Sequence, residues 1–98
     1  MQSAQRVTIV NRKGLHARAS NKLATLAKAY QSDIIIRHEE YEAKATEIMD
    51  LLMLVAHKGA EVEIEATGDD AREAVTALAS LIADGFGERD VPGEPQTC

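Results

Sequence analysis

The chain has 98 residues, 45% of them apolar and only 3% aromatic, so it suits one domain with an aliphatic core and argues against two domains. A net charge of −5 speaks against nucleic acid as the main partner. The longest apolar run, Leu51 to Ala56, is far too short for a membrane span, and the single Cys98 excludes an internal disulfide or a cysteine-built metal site. In chain order, Arg6–Asn11 is β-branched with period-2 character and predicts a strand. Arg12-Lys13-Gly14 follows as a turn, and Ala17 to Tyr30 predicts a helix with Leu23, Leu26, Ala27 and Tyr30 on one stripe. Asp33–His38 and Tyr41–Lys44 predict a hairpin around Glu39-Glu40.

Thr46 is the expected N-cap of a second helix, with Glu47 complementing its dipole. That helix is expected to run to about Val55 and to stop near His57-Lys58-Gly59. Glu61–Ala66 alternates strictly and predicts a strand with one dry face, its glutamates forming a solvated face. After a turn at Thr67-Gly68, Asp69 or Asp70 caps a last helix whose apolar positions run from Ala71 to Phe86 at i, i+3, i+4, i+7 spacing. Residues 1–87 make the domain, and residues 88–98, polar and containing Pro92 and Pro95, are expected to form a disordered tail. The order β-α-β-β-α-β-α predicts an α/β (α+β) open-faced sandwich: four mainly antiparallel strands covered on one face by three helices.

Charge is unevenly distributed. Residues 1–32 carry Arg6, Arg12, Lys13, Arg18, Lys22 and Lys28 and no acid, giving +6, and the remainder carries −11. The segment Asn11-Arg12-Lys13-Gly14-Leu15-His16-Ala17-Arg18-Ala19-Ser20 puts a histidine where a strand-exit loop meets a helix start. Free first-turn N–H groups, those of Ala17 and Arg18 among them, combine with the dipole into an anion site. Arg18 adds a permanent forked cation. The positive field disfavours the imidazolium, so His16 is expected to be neutral and nucleophilic near pH 7. A neutral imidazole beside donors for phosphate oxygens suits reversible phosphoryl transfer to nitrogen. A helix-start histidine is also commonly a simple cap. A Ser20–His16 nucleophile pair is a weaker option, since no carboxylate lies nearby in sequence to orient the ring.

Gly14-Leu15-His16-Ala17-Arg18-Ala19-Ser20 resembles the phosphorylation-site motif of the HPr family, the histidine phosphocarriers of the bacterial phosphoenolpyruvate-dependent phosphotransferase system. A second segment, Glu47-Ile48-Met49-Asp50-Leu51-Leu52-Met53-Leu54 followed by Lys58-Gly59-Ala60-Glu61-Val62, is similar to the family's second helix and the entry to its last strand. The likeness covers about Arg6 to Phe86. It implies that His16 is phosphorylated on Nδ1 and that Arg18 matches the active-site arginine. It implies that enzyme I or a paralogue donates the phosphoryl group and that an enzyme IIA accepts it, for sugar uptake or for nitrogen and carbon regulation. Leu51-Leu52-Met53-Leu54, Glu65-Ala66-Thr67-Gly68 and Asp84-Gly85-Phe86-Gly87 look closer to the nitrogen-related branch.

Three positions depart from the family pattern; at the first two, Ala19 stands where proline is common, and Glu47 stands where the family has its regulatory serine. Glu47 places a permanent charge where phosphoserine would place a switchable one. Asp50 replaces a family glycine.

Other residues admit plainer roles. Met49 and Met53, four apart, fit core packing first and otherwise an exposed patch that docks partners together with Leu15, Arg12, Lys13 and Lys22. His38 is expected to be exposed and His57 to sit near a helix end. The three histidines lack metal-ligand spacing, so neither a metal nor a cofactor is expected. The expectation is a cytoplasmic, monomeric phosphocarrier. The alternative is a small regulatory protein-binding module whose phosphorylation state controls partner proteins.

Overall fold

The computed structural model describes residues 1–88. Its elements are β1 (Gln2–Thr8), α1 (Ala17–Ala27), β2 (Asp33–His38), β3 (Tyr41–Lys44), α2 (Ile48–Met53), β4 (Glu61–Thr67) and α3 (Ala71–Ala83), then a 3₁₀ turn over Gly85–Gly87. The strands form one sheet in the order β1-β4-β2-β3, antiparallel at every pairing. The last strand in sequence is therefore central. It lies between β1 and β2, which α1 connects, so the sheet closes only once most of the chain is made.

Alternation decides which face is dry. Val62, Ile64 and Ala66 of β4 are buried, as are Ile34 and Ile36 of β2 and Ala43 of β3. The register sets Ile36 opposite both Ile64 and Ala43, so these apolar side chains share one face across three strands. The helices cover it with Leu23 and Ala27 from α1, Leu51 from α2, and Ala74, Val75, Leu78 and Ile82 from α3. Every member of that cluster but Phe86 is aliphatic, as the composition requires.

On the open face, the Arg37 guanidinium bonds Glu42 at 2.5 Å and Glu65 at 2.7 Å and lies 3.7 Å from Glu63. The hydrogen bond it donates to Glu42 is the main reason its pKa is raised, with the charges of Glu42 and Glu65 adding to it. Glu61 is exposed, as expected of a solvated face, but Glu63 and Glu65 are half-buried and organised around this one arginine.

Several element ends differ from the sequence expectation. β1 begins four residues earlier than predicted, at Gln2 instead of Arg6, because seven-residue β4 offers partners for Gln2 to Thr8. Polar residues suit this edge strand. α1 stops at Ala27; Ala29 and Tyr30 donate to Leu26 and Ala27 in 3₁₀-type bonds that tighten the chain beyond it. The N-cap residue of α2 is Glu47, not Thr46, and its side chain makes no capping bond. α2 ends at Met53, short of the predicted Val55, which takes a left-handed φ of 49°.

Asp70 precedes α3, yet its carboxylate does not cap that helix. It accepts instead from the backbone N–H groups of Gln31 and Ser32, both at 2.9 Å, and from the Ser32 hydroxyl at 2.5 Å. The Ser32 hydroxyl is the chief reason its pKa is lowered, with the Gln31 N–H next. Asp70 therefore ties the α1–β2 loop to the start of α3.

α3 itself ends at Ala83 and not at Phe86. Gly85 (φ 67°) and Phe86 (φ 58°) reverse the chain, and Phe86 is fully buried from beyond the helix. Residues 89–98 of the expected tail lie outside the described residues. Glu88, assigned to that tail from sequence, is instead half-buried against the domain.

Candidate functional site

The loop from Asn11 to His16 is fixed by its backbone. Ile9 donates to the Ala60 carbonyl at 2.8 Å, and Leu15 donates to that of Ala56 at 2.9 Å. Gly14 has φ 65°, and a Cβ there would lie 2.6 Å from the Ala56 oxygen and 2.9 Å from His57 Cα. Only glycine allows the loop to press this closely against the segment that follows α2. Asn11 is 4% exposed, and its amide donates to the Gly14 carbonyl at 2.8 Å, closing the loop from within. Its Oδ1 is buried without a partner among the described residues.

This loop delivers His16 as the N-cap of α1, in an extended conformation (φ −82°, ψ −177°). The ring's Nδ1 accepts from the Arg18 backbone N–H at 3.3 Å. The ring nitrogen does here what an Asp or Ser oxygen does elsewhere. An acceptor Nδ1 carries no hydrogen, so in the neutral ring the proton belongs to Nε2. That nitrogen faces the Glu88 carboxylate at 2.5 Å.

Glu88 is the residue sequence reasoning missed. It lies 72 positions from His16, and it reaches the ring only because Gly85 and Phe86 turn the chain back. Its other oxygen accepts from the Asn11 amide at 3.0 Å, and Lys22 holds the turn by donating to the Phe86 carbonyl at 2.6 Å. Burial works to raise the Glu88 pKa, but hydrogen bonds from Asn11 and His16, with attraction to His16 and Lys22, outweigh it and hold it below the usual value. The positive field expected at His16 therefore has a carboxylate set within it. No local signal marks Glu88; Asn11 could have been suspected as a polar residue closing a strand.

The remaining predicted residues divide by exposure. Arg18 is exposed, as are Arg12, Lys13 and Lys22, and the Arg18 guanidinium pairs with no acid among the described residues. Ala17 begins the first turn of α1 beside it. Met49 and Met53 are 71% and 72% exposed, which overturns their core reading. Leu15 goes the other way. At 6% exposed it belongs to the core and offers partners no surface. Ser20 is fully buried, and its hydroxyl donates to the Leu15 carbonyl, so it is not a nucleophile for His16 to activate. Glu47 is exposed at the start of α2, while His38 is half-buried and donates from Nδ1 to the Leu54 carbonyl at 2.9 Å, contrary to the exposed role expected. His57 is exposed. No group of three or more metal-ligating side chains occurs among the described residues.

A family profile described as "PTS HPr component phosphorylation site" matches residues 3–84. The chain belongs to the HPr family. It is 42% identical over 89 residues to the phosphocarrier protein NPr of Proteus mirabilis, covering 90% of this chain and 99% of that protein. It is equally identical over 84 residues to the phosphocarrier protein HPr of Neisseria meningitidis, covering 86% of this chain and 94% of that one. The crystal structure of HPr-C-His from Thermoanaerobacter tengcongensis superposes with a TM-score of 0.85 at 33% identity, covering 89% of this chain and 98% of that chain. The open-faced sandwich predicted from periodicity is thus the HPr fold, and a phosphocarrier role in the phosphotransferase system goes with it. No helix among the described residues is long and apolar enough to cross a membrane.

Proposed function

We propose that His16 carries the phosphoryl group on Nδ1, receiving it from an enzyme I-type donor charged by phosphoenolpyruvate and delivering it to an enzyme IIA-type acceptor. One observation carries this reading: the ring's hydrogen bonds commit Nε2 to Glu88 and leave the Nδ1 lone pair at the N-terminus of α1. A lone pair there sits among first-turn N–H groups whose dipole favours phosphate oxygens. The Arg18 guanidinium, two residues on and exposed, supplies a fork of donors for the charge spread over the phosphoryl oxygens. As phosphorus approaches, the weak 3.3 Å bond from the Arg18 N–H is given up, and that N–H turns to a phosphoryl oxygen.

A carrier must meet two partners in succession, so its contacts suit modest, transient and electrostatically guided docking. Exposed Met49 and Met53 give an adaptable apolar surface. They lie on α2, which packs against α1. The segment that follows α2 holds the His16 loop through Ala56. Arg12, Lys13 and Arg18 supply a positive rim for acidic partners, and Lys22 divides its ammonium between that rim and the Phe86 carbonyl. Glu47 puts a fixed carboxylate where a kinase-modified serine would act, so this chain is read as lacking that switch. The equal identity to an HPr and an NPr supports the shared chemistry over either branch.

The test is intact-protein mass after incubation with phosphoenolpyruvate and a proteobacterial enzyme I or its nitrogen-branch paralogue. Wild type is expected to gain one acid-labile phosphoryl group and His16→Ala none, with Arg18→Glu gaining it more slowly. Wild-type loading of His16→Ala would overturn the assignment.

A further inference from the structure

We propose that Glu88 is the positioning residue of this transfer: its carboxylate holds the Nε2 proton, so that Nδ1 is the nucleophile, and then balances the positive charge the ring takes when Nδ1 bonds phosphorus. The proposal rests on His16 as the phosphoryl-bearing residue.

The geometry places this carboxylate with unusual care. Oε2 meets His16 Nε2 at 2.5 Å, and Oε1 takes the Asn11 amide at 3.0 Å. The same amide nitrogen holds the Gly14 carbonyl at 2.8 Å, so one buried side chain spans the His16 loop and Glu88. Three successive left-handed residues, Gly85, the fully buried Phe86 and Gly87, return the chain to this point. A non-glycine residue in that conformation is disfavoured, and Lys22 adds a bond to its carbonyl. Those constraints serve to aim residue 88.

A neutral imidazole has one N–H. With Nδ1 accepting from Arg18, that N–H is on Nε2, and Glu88 is its acceptor. In the forward step the Nδ1 lone pair forms the N–P bond. The bond from phosphorus to the donor breaks, and its electron pair stays with the donor. The Nε2 proton does not move, so the ring becomes a cation, paired with Glu88. On delivery the N–P bond breaks, its electron pair returns to the ring, and the same Nε2–H tautomer is restored. Without the carboxylate the phosphorylated ring sheds its Nε2 proton more readily, and a neutral phosphoimidazole is the poorer leaving group.

The test uses ¹⁵N-histidine-labelled full-length protein, as wild type, Glu88→Ala and Glu88→Gln. NMR reads the ring tautomer in the free form and the ring's titration midpoint in the phosphorylated form, and onward transfer to an enzyme IIA is timed from pH 6 to 9. Wild type is expected to show the Nε2–H tautomer. Glu88→Ala should show mixed tautomers, a phospho-ring midpoint about one pH unit lower and, above that midpoint, about tenfold slower delivery that recovers as pH falls. A purely packing role for Glu88 would move none of these pH-dependent readouts. Glu88→Gln, which keeps the side chain's size without its charge, should lower the midpoint likewise. Unchanged tautomer and midpoint in either folded variant would overturn the proposal while leaving His16 as the carrier. Wild type that is never loaded would overturn that reading instead, and the transfer half of the proposal with it.

Discussion

Replacing Gly14 with alanine tests whether the His16 loop is held by backbone packing. The new Cβ would lie 2.6 Å from the Ala56 oxygen and 2.9 Å from His57 Cα, both backbone atoms that cannot swing aside as a side chain would. The left-handed φ of 65° adds about 1–2 kcal/mol for any residue with a Cβ. Forcing two backbone segments apart costs about 1–3 kcal/mol, by analogy with overpacked cores. The sum, about 2–5 kcal/mol, is a large share of the stability of a domain of this size, about 5–15 kcal/mol. At about 4–8 °C per kcal/mol, Tm should fall by at least about 8 °C. Displacement of the loop should also strain the Leu15–Ala56 bond and the Asn11 amide's hold on Gly14, so His16 loading should slow beyond what partial unfolding explains. Circular dichroism melts read the first effect and phosphorylation at a temperature where both proteins are folded reads the second. A Tm within about 2 °C of wild type would refute the claim that this approach demands glycine.

Other perturbations separate stability from docking. Asn11→Ala removes the donor shared by the Gly14 carbonyl and Glu88, and a urea titration should show a loss of about 1–3 kcal/mol. Met49→Ala and Met53→Ala should leave stability within about 0.5 kcal/mol, since both side chains are exposed, yet should raise the KM for this chain in an enzyme I assay. An unchanged KM would remove α2 from the docking surface. Asp70 has a lowered pKa, so its stabilising contribution is complete above the unfolded value of 3.8 and is lost as pH falls through the folded one. Asp70→Asn should therefore weaken the protein at neutral pH and flatten the acid limb of its stability curve below pH 4, measured by urea midpoints across pH.

Periodicity, together with the cap and stop signals around α2, located the four strands and three α-helices of the described residues because the chemistry it reads is local. Val62, Ile64 and Ala66 alternate along one strand, and Ala74, Leu78 and Ile82 recur along one helix, whatever lies elsewhere. Element ends were less legible, since partners set them: β1 is as long as β4 allows, and Asp70 left its helix to bind Gln31 and Ser32. The candidate site was legible as far as it is contiguous. His16, Ala17 and Arg18 occupy the helix start that their order implied. Exposure was not legible for α2, whose Met49 and Met53 sit at a spacing that suits a core as well as a surface, nor for Leu15, whose loop folds inward beneath the Ala56 carbonyl. Glu88 escaped entirely, because its contact with His16 exists only after the Gly85–Phe86 reversal.

The most direct test of the carrier role is a chase. The chain is loaded with labelled phosphoryl groups from phosphoenolpyruvate and enzyme I, freed of both, and mixed with an enzyme IIA of the sugar or the nitrogen branch. Label is predicted to leave His16 and to appear in equal amount on one of these acceptors, with His16→Ala taking up none at the start. Label that stays on the chain, or departs only as inorganic phosphate while both acceptors are shown to be active, would contradict the carrier role and favour a module that signals by its own phosphorylation state.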